Sequence, residues 1–225
     1  MTAKLEDQTR EAEGRWLERW KEGPRRTRWT TLPLQTGDLA PTFRLLDQAG
    51  QPFDLMSLWQ GRPALLLFWR QFGCSCGVER ARRLIEEVPR FVEMGASVAI
   101  VAQGEPERAK AYAEKHGLSP IRILCDPTGD VYQAYGLLEG KPSQLVYDAP
   151  EAFLDRDYET GARFCEQRRA DGRPPVDNPW LLPGEFVMRG GGEVVLAYRY
   201  NFCEDYPDAR VLSAAIREAT RGGES

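Results

Sequence analysis

With 225 residues, 42% of them hydrophobic, the chain can bury a full core, as one large domain with embellishments or as two small ones. Thirty Lys and Arg against 34 Asp and Glu leave a formal charge of −4 with the signs mixed, which gives no basis for nucleic acid as a partner. A single histidine, His116, excludes multi-histidine metal sites and fits a helix C-terminus, so the chemistry falls to five cysteines: Cys74, Cys76, Cys125, Cys165 and Cys203.

Residues 3–21 read as an amphipathic helix with Leu5, Ala12, Trp16 and Trp20 on one stripe, ended by Gly23-Pro24. An exposed stripe of this kind is sticky, so it packs on the domain or on another subunit, which leaves a homodimer open. The N-terminus lacks the apolar segment of a signal peptide, and no apolar run approaches the ~20 residues of a membrane span. The expected compartment is the cytoplasm, with no membrane partner, where cysteines are reduced, redox-active or buried.

Thr42 to Leu46 and Phe53 to Leu55 flank the turn signal Gln48-Ala49-Gly50-Gln51 and predict a hairpin, followed by a helical turn over Met56 to Gln60. Ala64 to Trp69 is a strand buried on both faces. The loop Arg70-Gln71-Phe72-Gly73 then leads through Cys74-Ser75-Cys76 into a helix whose apolar face is Val78, Ala81, Leu84, Ile85, Val88 and Val92. Ser97 to Ala102 is a second strand, Glu105 to His116 a helix, Ile121 to Leu124 a third strand, and Asp130 to Tyr135 a short helix.

A stretch over 141–182, with a helical piece from Glu159 to Arg169, breaks this rhythm and reads as an insertion covering a sheet edge or the site. A hairpin follows, Gly184 to Met188 with Glu193 to Tyr200, and then a helix over Asp208 to Thr220 with Val211, Leu212, Ala215 and Ile216 facing in. The order predicts an α/β fold with a central sheet: an N-terminal helical extension over 1–33 and a main domain over 34–221 that carries the insertion.

Cysteines at the start of a helix suit thiolate formation. A thiol of pKa ~8.5 is only about 3% ionised at pH 7, and reaching pKa ~6 takes about 3.4 kcal/mol of preferential thiolate stabilisation. A helix N-terminus gives ~0.3–2 kcal/mol of this. The rest falls to backbone N–H groups and a nearby cation, for which Arg70 and Arg80 are the local candidates. Cys76 reads as the N-cap with Glu79 at the capping-box position, and Cys74 as the more exposed of the two. Cys125 reads as core, Cys165 lies on the insertion helix, and Cys203 is a candidate distal resolving thiol.

The segments GDLAPTFRLLDQAGQPFDL, ALLLFWRQFGC and CDPTGDVYQAYGL, with the closing hairpin, resemble the peroxiredoxin superfamily. They are closest to the peroxiredoxin-like branch of the alkyl hydroperoxide reductase C / thiol-specific antioxidant family. The resemblance covers roughly Leu34 to Gly140 and Pro183 to Arg221. It implies a thioredoxin-like fold with a mixed central sheet and no cofactor or metal. It also implies reduction of peroxides through a sulfenic acid resolved as a disulfide, with a thioredoxin- or glutaredoxin-type reductant.

The chain departs from the family's Pro-x-x-x-Thr-x-x-Cys. Counting back from Cys76 gives Trp69 and Gly73, and from Cys74 gives Leu67 and Gln71. Glu79, three residues after Cys76, is retained, whereas Leu182-Pro183-Gly184-Glu185 stands where the family has an arginine. Pro183 there is either similar to the cis-proline that faces the cysteines in thioredoxin-type oxidoreductases or an ordinary trans proline at the entry to a strand. Three readings follow: a peroxidase using Cys74 and Cys76, a thiol–disulfide oxidoreductase acting on protein disulfides, and a redox-sensing interaction module.

Overall fold

Five consecutive buried residues, Ala64–Phe68, form a strand that pairs in parallel with Ser97–Ala102 on one side and antiparallel with Gly184–Met188 on the other. This computed structural model describes residues 3–145 and 156–221, so residues 146–155 of the insertion stretch lie outside the described residues. In chain order the elements are α1 (Ala3–Glu22), β1 (Arg44–Asp47), β2 (Pro52–Asp54), a 3-10 turn at Leu55–Leu58, β3 (Ala64–Phe68), α2 (Ser75–Glu93) and β4 (Ser97–Ala102). They continue with α3 (Pro106–Lys115), β5 (Arg122–Cys125), α4 (Asp130–Ala134), α5 (Pro142–Leu145), α6 (Tyr158–Ala170), β6 (Gly184–Met188), β7 (Val194–Arg199) and α7 (Ala209–Arg221).

One 7-stranded sheet runs in the order β2-β1-β5-β4-β3-β6-β7. Its centre, β5-β4-β3, is parallel, and both flanks are antiparallel, so the sheet is mixed as expected. Strand alternation splits the core in two. Leu65, Leu67 and Trp69 face α2, α3 and α7 with Leu84, Phe91, Leu212 and Ile216, while Leu66 and Phe68 face Tyr132, Tyr135 and Phe186.

Two helix faces differ from the expectation. On α2 the inward residues are Cys76, Gly77, Arg80, Ala81, Leu84 and Phe91, leaving Ile85 and Val92 exposed. The helix is turned because Arg80 reaches inward to a buried carboxylate, Glu185 on β6, and Phe91 fills the space beneath the sheet. On α7, Leu212, Ser213, Ile216 and Ala219 face in, and Val211 is exposed.

A third apolar cluster sits at the end of the sheet where β3 delivers the chain to α2. It joins Trp16 and Trp20 of α1, Cys165 of α6, Trp180, Leu145 and Leu182 to Cys74, Cys76 and Cys203. The α1 stripe is therefore covered within the chain: Trp16 stacks on Trp20 at 4.9 Å between ring centroids, and Trp20 stacks on Trp180 at 5.6 Å. Gly161 on α6 permits this, since a Cβ there would come 2.9 Å from the Trp20 ring. At 150–250 Å² per ring, each buried Trp contributes about 4–6 kcal/mol before its entropy cost.

Ion pairs fasten the same layer. Arg169 on α6 meets Glu13 at 2.7 Å, Arg19 meets Glu139 at 2.6 Å, and Asp177 takes Arg108 at 2.7 Å and Arg15 at 3.1 Å. No helix among the described residues is long and apolar enough to cross a membrane.

Candidate active site

Trp69 ends the β3 run with its N–H on the Val101 carbonyl at 2.8 Å, and the chain then leaves the sheet through Arg70 to Gly73. The N-cap of α2 is Cys74, not Cys76, with extended backbone and no side-chain cap bond. The helix starts two residues earlier than the capping box requires, so the third helical position is Gly77. Glu79 instead lies on the outer side of α2 and pairs with Arg82 and Arg83 along the helix. Hydrogen bonds from Arg82 and then Arg83 hold its carboxyl down at about 2, far from any role at the cysteines.

Cys74 and Cys76 are joined in a disulfide with Cα atoms 5.3 Å apart. Both are buried, at 5% and 3% exposure, so Cys74 is not the exposed member of the pair. The cause is the roof of α1, α6 and Trp180, which the strand–loop–helix pattern alone does not reveal.

Of the two candidate cations, one reaches sulfur. Arg70 Nη1 lies 3.1 Å from Cys74 Sγ, while its Nη2 donates to the Pro179 carbonyl. Arg80 is directed elsewhere: Nε and Nη2 grip Glu185 at 2.7 and 3.1 Å, and Nη1 meets Glu87 at 2.8 Å. Cys74 thus has both the N-terminus of α2 and a guanidinium beside it, each favouring the thiolate.

Several residues with no sequence signal hold the loop in place. Gln71 Oε1 accepts from Val176 N–H at 3.1 Å, and Gln103 bonds the Arg70 carbonyl and the Asn178 backbone. Arg168 Nη2 donates to the Gly73 carbonyl at 3.0 Å, and Tyr206 donates to the Cys76 carbonyl at 2.7 Å. Gly73 is a point of close approach, because a Cβ there would lie 2.0 Å from the Pro174 carbonyl oxygen. Gly73→Ala is therefore expected to displace the 172–176 segment and speed reaction of the reduced cysteines with a thiol reagent about tenfold. An unchanged labelling rate in a folded variant would show that this segment does not gate the pair.

Pro183 enters β6 through an ordinary trans peptide, since no cis bond occurs among the described residues. It still borders, with Cys76, Glu185, Tyr200, Cys203 and Tyr206, a void of ≈20 Å³. Tyr200 donates to Glu185 inside that wall. On the outer side of the loop, a groove of ≈680 Å³ runs past Phe72, Gly73, Val78, Tyr112, His116 and Pro174. Burial pushes the thiols of Cys125 and Cys165 up to about 12, so both stay protonated at neutral pH.

The chain is 27% identical to the thioredoxin-like protein AAED1, chloroplastic, of Arabidopsis thaliana over 163 residues, 72% of this chain and 64% of that protein. It is 30% identical to peroxiredoxin Bcp of Escherichia coli over 142 residues, covering 63% of this chain and 83% of that one. Among solved structures, peroxidoxin BcpB from Mycobacterium tuberculosis superposes with a TM-score of 0.55 at 19% identity, over 85% of this chain and 99% of that one. The peroxiredoxin-like protein from Aquifex aeolicus gives 0.57 at 14% identity, over 84% and 90%. These structures share the thioredoxin-like fold. The AhpC/TSA family model matches residues 36–155, more than half of the chain, and the chain belongs to the AhpC/TSA family.

Proposed function

We propose that this protein is a peroxiredoxin-like thiol peroxidase in which Cys74 attacks and Cys76 resolves. The observation that carries the reading is Arg70 Nη1 at 3.1 Å from Cys74 Sγ at the N-cap of α2, with Cys76 within disulfide reach. The Cys74 thiolate takes the terminal peroxide oxygen, the O–O bond breaks, and the departing alkoxide or hydroxide is protonated to an alcohol or water. Cys74 sulfenic acid then condenses with the Cys76 thiol, releasing water and forming the disulfide. A thioredoxin- or glutaredoxin-type dithiol returns two electrons and two protons.

Burial supports a peroxide over a protein disulfide as the oxidant. At 5% and 3% exposure the two cysteines are reachable by a small molecule more readily than by a folded partner. The compartment that suits it is the cytoplasm, where Cys125 and Cys165 persist as buried thiols. Because α1 is covered within the chain, a homodimer is not needed to shield its stripe.

Stopped-flow mixing of reduced protein with hydrogen peroxide at pH 7 tests the proposal. Full ionisation alone gives about a 30-fold advantage over free cysteine, so a larger gain than that is expected. A rate equal to that of free cysteine sinks the reading.

A further inference from the structure

Oxidising equivalents left on the Cys74–Cys76 disulfide must pass to a dithiol, yet both residues lie under α1, α6 and Trp180. Another thiol lies on a different side of the pair. Cys203 occupies the loop between β7 and α7 and is 4% exposed, but its neighbours Asn201, Phe202 and Glu204 are all exposed. The loop on both sides of Cys203 is thus open to solvent. Cys203 shares the buried cluster of Cys74 and Cys76, and it borders the same ≈20 Å³ void as Cys76. Cys165, also in the cluster, sits on α6 within the roof and does not border that void.

We propose that Cys203 is a relay thiol that moves the disulfide from Cys74–Cys76 to Cys76–Cys203, where the reductant collects it. This rests on the reading that Cys74–Cys76 is the product of peroxide reduction. Leaving-group chemistry sets the direction of attack. In thiol–disulfide exchange the better-stabilised thiolate leaves faster, and Arg70 stands beside Cys74. Cys203 therefore attacks Cys76 Sγ and expels Cys74.

The step balances without an added oxidant. Cys203 loses its proton to solvent as its sulfur bonds Cys76 Sγ. The Cys74–Cys76 bond breaks, and its electron pair stays on Cys74 as a thiolate facing Arg70. An external dithiol then attacks Cys203 at the loop, and two thiols are restored. The exchange also has a structural consequence. Cys203 is tied to α5 through its N–H on the Gln144 carbonyl at 2.9 Å and its thiol 3.5 Å from the Leu145 carbonyl, and a new bond to Cys76 withdraws the thiol.

The test begins from reduced protein oxidised with diamide, which forms the disulfide without peroxide. Acid-quenched, alkylated samples are mapped by mass spectrometry during reduction by thioredoxin. A Cys76–Cys203 peptide pair is expected to rise and fall, and Cys203→Ser and Cys203→Ala are each expected to slow reduction at least about tenfold. Cys165→Ser serves as the control from the same cluster, with no such loss. If no Cys76–Cys203 pair forms and both Cys203 variants, shown folded by circular dichroism, are reduced at the unmodified rate, the relay is wrong. That result leaves peroxide reduction standing, whereas a relay seen after diamide but no disulfide after peroxide overturns the peroxidase reading alone.

Discussion

Cys74→Ser is expected to remove the fast reaction with hydroperoxide, by at least about 100-fold, because a serine hydroxyl is not ionised at neutral pH and only a thiolate attacks. Cys76→Ser is expected to keep the first turnover and stop it at Cys74 sulfenic acid, visible as one added oxygen in the intact mass and trappable by a dione reagent. With no resolving sulfur on the residue whose Cα lies 5.3 Å away, that acid persists and proceeds to sulfinic acid as peroxide rises. The two variants thus fail at different steps. A fast Cys74→Ser with a slow Cys76→Ser reverses the assignment, and two variants as fast as the unmodified protein remove the pair from the chemistry.

The asymmetry between the cysteines was only partly legible in the chain. Ala64 to Trp69 and the period change after Gly73 announced a buried strand feeding a helix, and β3 and α2 follow that plan. The cap lies two residues before the expected one because Cys74, Ser75 and Cys76 can each open a helix, and only backbone angles separate them. Arg70 and Arg80 looked equivalent as local cations. What distinguishes them is a partner far along the chain, Glu185, which claims Arg80 from 105 residues away.

The roof was legible in composition and not in position. Trp16 and Trp20 four residues apart require a cover, but nothing local states that the cover is Phe164 and Trp180 of the 141–182 stretch. Gly161 and Gly73 are the marks of that close approach, and a glycine's reason is visible only once its neighbour across the gap is known. Burial of both sulfurs is thus a tertiary result. It turns an ordinary thiolate device into an enclosed one, which is why the exit of oxidising equivalents becomes a question at all.

Arg70→Gln should slow attack on peroxide at pH 7 by up to about 30-fold: a hydrogen bond to a charged group contributes ~1.5–3 kcal/mol, about 10- to 150-fold in the ionisation constant, and the loss is capped at about the step from a fully ionised thiolate to an ordinary thiol. The guanidinium acts on the thiolate and not on the thiol, so the sign with pH is fixed. At low pH the variant holds less thiolate than the unmodified protein, and as pH rises both approach full ionisation and the deficit closes. Arg70→Lys keeps a charge but loses the fork that also reaches the Pro179 carbonyl, so it should fall between the two. Thermal unfolding separates this from mere loosening, because Arg70 is 6% exposed and also holds the segment leading to Trp180. A deficit that persists unchanged at alkaline pH would mean that Arg70 works on the departing peroxide oxygen and not on the thiolate population. The cation would then belong to the transition state, and the N-terminus of α2 would carry the ionisation of Cys74.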